Sequence, residues 1–324
     1  IIEGDTDHLP EIAAAREIVM VHSQLSVNSQ GVVPPFQAPD FFGTTTAIPL
    51  INGKQNPTLE MLPGEVVRIR FVQAGVDSFT LLGLDGHVLH QIALDGITFA
   101  RPVERSSILL ATANRTDFLI RAGAPGSYKL QSLSHDQGFG PTIPFTLATV
   151  RVIDAPPVQM DMPTSLPAPF RDISADEVRG RRSLTFEVFP RVQGQPQYGI
   201  SGQQFNPDRI DQTIELGAVE EWTLYNTTTE MHPFHIHVNP FQVVQINGQS
   251  VDPVWQDTAI IPPVSGSTPG SLTFRTRFLD FDGLYVLHCH ILLHECVGMM
   301  QTVKVVPRGL SHKERLRRHR QNEA

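Results

Sequence analysis

Cysteine is nearly absent from this chain: Cys289 and Cys296 are the only two in 324 residues. Two cannot define a disulfide framework, so cysteine count says nothing about compartment. Charge is also sparse, at 18% of residues, and its formal balance is -8. That argues against nucleic acid as the main partner, because phosphate binding needs a concentrated basic face. The single basic run, His312 to Arg320, lies at a chain end and reads as a solvated tail over residues 308–324. No apolar run approaches the roughly 18 residues of a membrane-spanning helix. Methionine is missing from the first position, which is Ile1, and no charged-then-apolar leader follows. The expectation is a processed chain or a piece of something longer.

Glycine (24) and proline (26) are plentiful, which favours many short strands joined by turns over long helices. Runs such as REIVMVHSQL, EVVRIRFVQA, LTFEVF, EEWTLYN and FQVVQING alternate or are rich in Val, Ile, Leu, Phe and Thr. This is the pattern of an all-β sandwich or barrel. The two halves of the chain also resemble each other. Thr80 to Gly96 aligns without gaps on His232 to Gly248, and Gly126 to Ser134 aligns on Gly283 to Ile291. Repeats of this size mean one β-domain used twice. The expected organisation is a first domain over 1–154, an extended, exposed, proline-rich linker over 155–180, and a second domain over 181–307.

The duplication separates frame from chemistry. Where the second half has His232, His235 and His237, the first has Thr80, Gly83 and Asp85. Where the second has His288, Cys289 and His290, the first has Gln131, Ser132 and Leu133. Whatever those histidines and that cysteine do, the first domain does not do it. His87 and His90 fall at non-equivalent positions and read as ordinary surface or turn histidines.

Six of the thirteen histidines lie in two short windows, HPFHIH and HCHILLH. On a strand, residues i and i+2 share a face. His235 and His237 therefore share one face, as do His288 and His290, while Cys289 points the other way. One strand would carry two sites: imidazoles on one side, a thiolate on the other. His294 follows the cysteine by five residues and Met299 by ten. With His232 they complete two histidines, one cysteine and a weak axial methionine, the trigonal blue-copper set. Zinc is the alternative metal, but structural zinc sites usually carry more thiolates. The four remaining imidazoles suit a second metal site, joined to the first through the backbone on either side of Cys289.

At this point the residues resemble a family. HPFHIH and HCHILLHECVGMM closely resemble the two C-terminal copper motifs of the multicopper oxidases, the laccase-like enzymes. WQDTAIIPP and GLYVLHCHILLHE are similar to that family's third cupredoxin domain, and INGKQNPTLEMLPGEVVRIRFVQAG to its second, copper-free one. The resemblance runs to about Arg308. It implies two Greek-key cupredoxin domains in tandem. It implies type 1 copper on His232, Cys289, His294 and Met299, a type 2 copper ligand in His235, and type 3 ligands in His237, His288 and His290. Electrons from a reducing substrate (phenol, aromatic amine or metal ion) would pass through Cys289, His288 and His290 to a trinuclear cluster where O2 is reduced to water. Glu295 matches the acidic residue that relays protons to that cluster in bacterial members. Cys296 departs from the acidic residue usual at its position. Family resemblance also implies a periplasmic or secreted location.

One departure is large. The family's cluster needs two further His-x-His motifs from a first cupredoxin domain, and none occurs before His235. The expectation is domains two and three of a three-domain oxidase, with the first on another polypeptide or lost by cleavage or truncation. A two-domain trimeric oxidase fits less well, since its first domain carries the missing motifs. The alternative function is a blue-copper electron-transfer or copper-binding module without oxygen chemistry.

Overall fold

Segments whose apolar residues recur at every second position form strands, and helix is confined to short turns. The computed structural model describes residues 1–33, 46–192, 194–307 and 309. It divides after Phe170 into two units, each considered by itself. The first holds a short helix α1 (Pro10–Ala14) and strands β1 (Arg16–Val27), β2 (Thr46–Ile51), β3 (Thr58–Met61), β4 (Val66–Gln73), β5 (Thr80–Leu84), β6 (Leu89–Leu94), β7 (Ile97–Arg105), β8 (Ile108–Leu110), β9 (Arg115–Arg121), β10 (Gly126–Leu133) and β11 (Phe145–Val152). The second holds β12 (Gly180–Val192), β13 (Gln195–Ile200), β14 (Gln212–Glu215), β15 (Val219–Asn226), β16 (His232–Ile236), β17 (Phe241–Ile246), β18 (Gln249–Gln256), β19 (Thr258–Ile261), β20 (Gly270–Arg277), β21 (Gly283–Cys289), helix α2 (Leu292–Cys296) and β22 (Met300–Val306). Among the described residues no helix is long and apolar enough to cross a membrane.

Each unit pairs a six-stranded with a five-stranded sheet. The orders are β2-β1-β4-β9-β6-β7 and β3-β11-β10-β5-β8 in the first, and β13-β12-β15-β20-β17-β18 and β14-β22-β21-β16-β19 in the second. Every strand has its counterpart at the same place in the other unit, so the repeat read from sequence is a repeat of topology. Register repeats as well. Leu82, Gly83 and Leu84 face Ser132, Gln131 and Leu130 across β5–β10, as Phe234, His235 and Ile236 face Cys289, His288 and Leu287 across β16–β21.

The inward faces supply the cores. In the first unit Met20, Ile69, Phe71, Leu82, Phe118 and Leu130 are buried together. In the second, Phe234, Phe241 and Phe274 pack with ring centroids 4.5 to 5.5 Å apart. Each such side chain contributes on the order of 2 kcal/mol by leaving water. Trp222, fully buried, donates its indole N–H to Glu220 at 2.9 Å, and Arg182 neutralises that carboxylate at 2.7 Å.

The proline-rich segment is extended, and several residues of its first part are tied to the first unit. Val158 N–H donates to the Pro63 carbonyl and Leu166 N–H to that of Ala100, both at 2.9 Å. Leu166 is buried against Ile12, Val66, Ile92 and Leu119, with Met160 and Met162 alongside. Prolines deny the segment a full ladder, yet its remaining N–H groups and apolar side chains lie along the first unit. On the far side of the division Ile173 is already tied to the second unit, its N–H donating to Gln242 at 2.9 Å. The basic tail expected over 308–324 lies, Gly309 apart, outside the described residues.

This packing makes a measurable difference. Leu166→Ala should lower stability by about 2–3 kcal/mol through the cavity it leaves, read as a shifted denaturation midpoint. A free linker would show no change.

Candidate metal centre

Two histidine windows become two sites because of how β16 and β21 pair. His235 lies opposite His288, and Phe234 opposite Cys289. Cross-strand partners share a face. Cys289 therefore points inward with Phe234, and His232, two residues before Phe234, points inward too. His235 and His288 point outward, and strand parity adds His237 and His290.

On the inner face three donors converge. The Cys289 Sγ lies 3.6 Å from the Nδ1 atoms of His232 and of His294, and those two nitrogens are 3.2 Å apart. All three residues are buried. His294 reaches the site from α2, which folds back beneath the end of β21. The turn after α2 then brings Met299 in: its N–H donates to the His294 carbonyl at 2.9 Å, and its carbonyl accepts the Cys289 N–H at 3.0 Å. Gly298 makes this turn possible. Its φ is +115°, and an added Cβ would come within 2.9 Å of the Gln204 Cβ and 3.0 Å of the Tyr198 carbonyl. Met299 is fully buried. The Tyr198 ring stacks on His294 at 3.9 Å between centroids.

Four imidazoles gather on the outer face. Ring centroids lie 5.1 Å apart for His235–His237 and for His288–His290, 5.4 Å for His235–His288 and 5.6 Å for His237–His288. Ligand atoms of His235, His237 and His288 fall within 4.8 Å of one another, and the His290 ring lies 5.5 Å from that of His235. Outer contacts orient the rings. His235 Nδ1 is 2.8 Å from the Asp257 carbonyl and 3.0 Å from Thr258 Oγ1. His288 Nδ1 is 3.0 Å from the Cys289 carbonyl and 3.2 Å from Glu295 Oε2. That contact, foremost, holds the Glu295 carboxyl below its usual range. Burial and then the neighbouring imidazoles lower His237, and lower His290 to about 4.

The first unit fills the equivalent space without a metal set. Gln131 donates to Asp85 at 2.6 Å where His288 and His237 would stand. A Cβ on Gly83, the counterpart of His235, would meet Leu133 Cδ1 at 2.9 Å. Inside, Gln73 Nε2 donates to Thr80 Oγ1 at 2.7 Å, and His22 Nδ1 lies 3.2 Å from the same hydroxyl. His87, in a turn, accepts the Gly123 N–H at 3.1 Å.

The inner donors of the second unit fit a cation. Burial holds His232 down to about 3 and lowers His294 as well, so both rings are neutral and their lone pairs free. It pushes the Cys289 thiol well above its ordinary range. One thiol hydrogen cannot satisfy two nitrogens and its own sulfur, whereas a bound cation satisfies all three and stabilises the thiolate. A thiolate with two imidazoles is a soft set that suits copper. Tyr198, Thr228, Glu230 and Asp257, which border the two sites, carry no spacing signal in the sequence. They reach the histidines only through turns and distant strands.

Comparison with known proteins bears on the family. Two family models described as multicopper oxidase match residues 178–309 and 23–150. A laccase of Bacillus stratosphericus is 30% identical over 298 residues, covering 84% of this chain and 56% of that protein. A cell division protein FtsP of Xenorhabdus nematophila is 29% identical over 252 residues, covering 71% of this chain and 49% of that protein. The chain thus spans about half the length of these curated relatives. A solved structure titled as a multicopper oxidase from Campylobacter jejuni, a metallo-oxidase, superposes with a TM-score of 0.78 at 24% identity. That superposition covers 92% of this chain and 65% of the other.

The thiols should separate chemically. In the folded, metal-free chain a thiol reagent should titrate exposed Cys296 and leave buried Cys289 untouched, one thiol per chain. Denaturant should release the second. Two fast-reacting thiols in the folded chain would contradict the burial of the inner site.

Proposed function

Because the chain belongs to the multicopper oxidase family, a family that binds copper, we propose that it supplies the substrate-oxidising copper site and half of the oxygen-reducing site of a laccase-like oxidase. His232, Cys289, His294 and Met299 would hold one copper. His235, with His237, His288 and His290, would contribute to a cluster of three. Bound copper would supply one-electron acceptance from a reducing substrate at the first site and four-electron reduction of O2 to water at the second. The observation that carries this reading is the pair of donor sets on opposite faces of β21, each His288 or His290 being a peptide neighbour of Cys289. An electron-transfer cupredoxin has no use for the outer histidines.

The chain's own groups have definable tasks in this reading. Phe186 and Phe234 wall the inner site, the Phe186 ring 6.1 Å from that of His232. They exclude water and keep the donors rigid, which limits reorganisation when charge changes. Glu295, kept as a carboxylate by His288 Nδ1 at 3.2 Å, can accept a proton beside the outer site and pass it on, as a relay would. The substrate is a small reductant, with phenols and aromatic amines as the first classes to assay.

Four histidines are half the family's ligand shell. In this proposal the others come from a further cupredoxin domain, on the same polypeptide or another. A second reading, a copper-binding or electron-transfer protein without oxygen chemistry, would need only the inner set, whose donors His232, Cys289 and His294 all lie buried in this chain. Copper content separates the two: about four per assembly for the oxidase and about one for the module.

Loaded with copper, the chain should be blue from thiolate-to-copper charge transfer, and Cys289→Ser should abolish the colour while Ser132→Ala leaves it. A blue Cys289→Ser protein would sink the assignment. Oxygen uptake with a phenolic donor should stall after about one electron per chain, since a half-shell lacks the fixed geometry that metal catalysis needs. A domain bearing two His-x-His motifs should restore steady uptake and copper content together. Sustained turnover by the 324-residue chain alone would overturn the split arrangement.

A further inference from the structure

The turn that leads into β16 touches both inner imidazoles on the sides away from the cysteine. Its anchor is Asn226, fully buried at the end of β15. Asn226 Oδ1 accepts the Thr228 N–H at 2.8 Å, which fixes which side-chain atom is oxygen. Its Nδ2 donates to the Glu230 carbonyl at 2.6 Å. Thr228 Oγ1 lies 2.8 Å from Asn226 Oδ1 and 3.2 Å from the Glu230 carbonyl, both acceptors only. Its one hydrogen goes to one of them, because otherwise Oγ1 and Asn226 Oδ1 would face each other at 2.8 Å with no hydrogen between them. The same oxygen accepts the Glu230 N–H at 3.3 Å.

The third neighbour of that hydroxyl is His232 Nε2, at 2.8 Å. With the hydroxyl hydrogen spent, the imidazole must be the donor. His232 then carries its proton on Nε2 and leaves Nδ1 bare, facing Cys289. His294 is treated in the same way from the next residues of the turn. Its Nε2 lies 3.3 Å from Glu230 Oε2. The same carboxylate accepts the Tyr198 hydroxyl at 3.2 Å, and the Tyr198 ring lies flat against His294 at 21°. The carboxylate oxygen facing Nε2 favours, by charge, a proton on that nitrogen of this ring too.

We infer that the turn Asn226–Glu230 sets the tautomer of both inner imidazoles, making Thr228 and Glu230 positioning residues for the two Nδ1 atoms that face Cys289. The first unit shows what the frame does without the device. Its buried Gln73 donates directly to Thr80, at the position of His232. Thr80 itself has no imidazole to orient, and the ring beside it, His22, comes from β1. Partners on the far nitrogen of a ligating histidine fix ring orientation and raise ligand basicity, and losing one typically costs about 10–100-fold in metal affinity.

The inference rests on the proposed copper reading for its consequence, but not for its test. In the metal-free chain, nitrogen-15 imidazole correlation spectra should report the Nε2–H tautomer for His232 and His294. Thr228→Val, which keeps the shape and removes the hydroxyl, should mix the His232 tautomers, and Thr228→Ser should restore them. Glu230→Leu should do the same at His294, and Glu230→Gln, which retains an acceptor, should rescue it. In the copper-loaded chain, Thr228→Val and Glu230→Leu should each weaken copper binding about 10–100-fold and move the charge-transfer band. The Ser and Gln variants should stay within about twofold of the parent on the same scale. Valine and leucine variants that keep the parental tautomers and affinity would overturn the inference. Should Thr228→Val fail to fold, the half-buried Glu230 pair decides it with the same readouts. A parent chain that takes up no copper defeats the proposed function, and the tautomer measurement still decides this point.

Discussion

Everything at the site depends on the two-residue period of one strand. β21 lies inside its sheet, paired with β16 on one side and β22 on the other. His288 pairs with His235 across one ladder and with Met300 across the other. A slip of one residue would turn Cys289 outward and the histidines into the core. Two ladders and the fully buried Leu287 resist that slip. The separation of a thiol from two imidazoles by single peptide units is thus a property of sheet register. No loop has to hold it.

The first unit builds the same frame without the donor set. Its strands run in the same order and its register matches at the equivalent pairs. Where the second unit gathers lone pairs, the first closes its polar atoms on each other, through Gln73 and Thr80 inside and Gln131 and Asp85 outside. Buried polar groups must find partners or cost stability. The first unit finds them in side chains. On its inner face the second leaves three donors aimed at one point, which is the signature of a site added to a fold rather than of a fold built around a metal.

Much of this was legible in the sequence, for a physical reason. Strand parity is local, so the spacing within HPFHIH and HCHILLH is enough to reveal which side chains share a face. Gapless alignment of the halves, where Thr80 stands for His232 and Ser132 for Cys289, gave the register because a β-frame tolerates exchange of side chains but not of spacing. The illegible parts are those set by turns and by distance. The segment after Ala155 reads as exposed linker because its prolines dominate, yet Leu166 and Met160 are packed against a sheet that composition cannot reveal. Tyr198, Thr228 and Glu230 meet the histidines through contacts that no period encodes.

The two faces also differ in how self-sufficient they are. Every donor of the inner set comes from the second unit and is buried, so folding that unit assembles the set. Ring planes are held by Tyr198, and the backbone of Met299 is bonded to both Cys289 and His294. The outer set is graded instead, from buried His288 through half-buried His235 and His290 to exposed His237. Its exposed side is where the proposed remaining ligands would approach. A metal held from both sides would bind only as tightly as that approach is populated, because ordering the second surface is part of the binding free energy. On the proposed reading, the chain commits its electron-accepting site at folding and leaves its oxygen-reducing site conditional on assembly. Reduction of oxygen is thereby confined to the state in which the full ligand shell is closed.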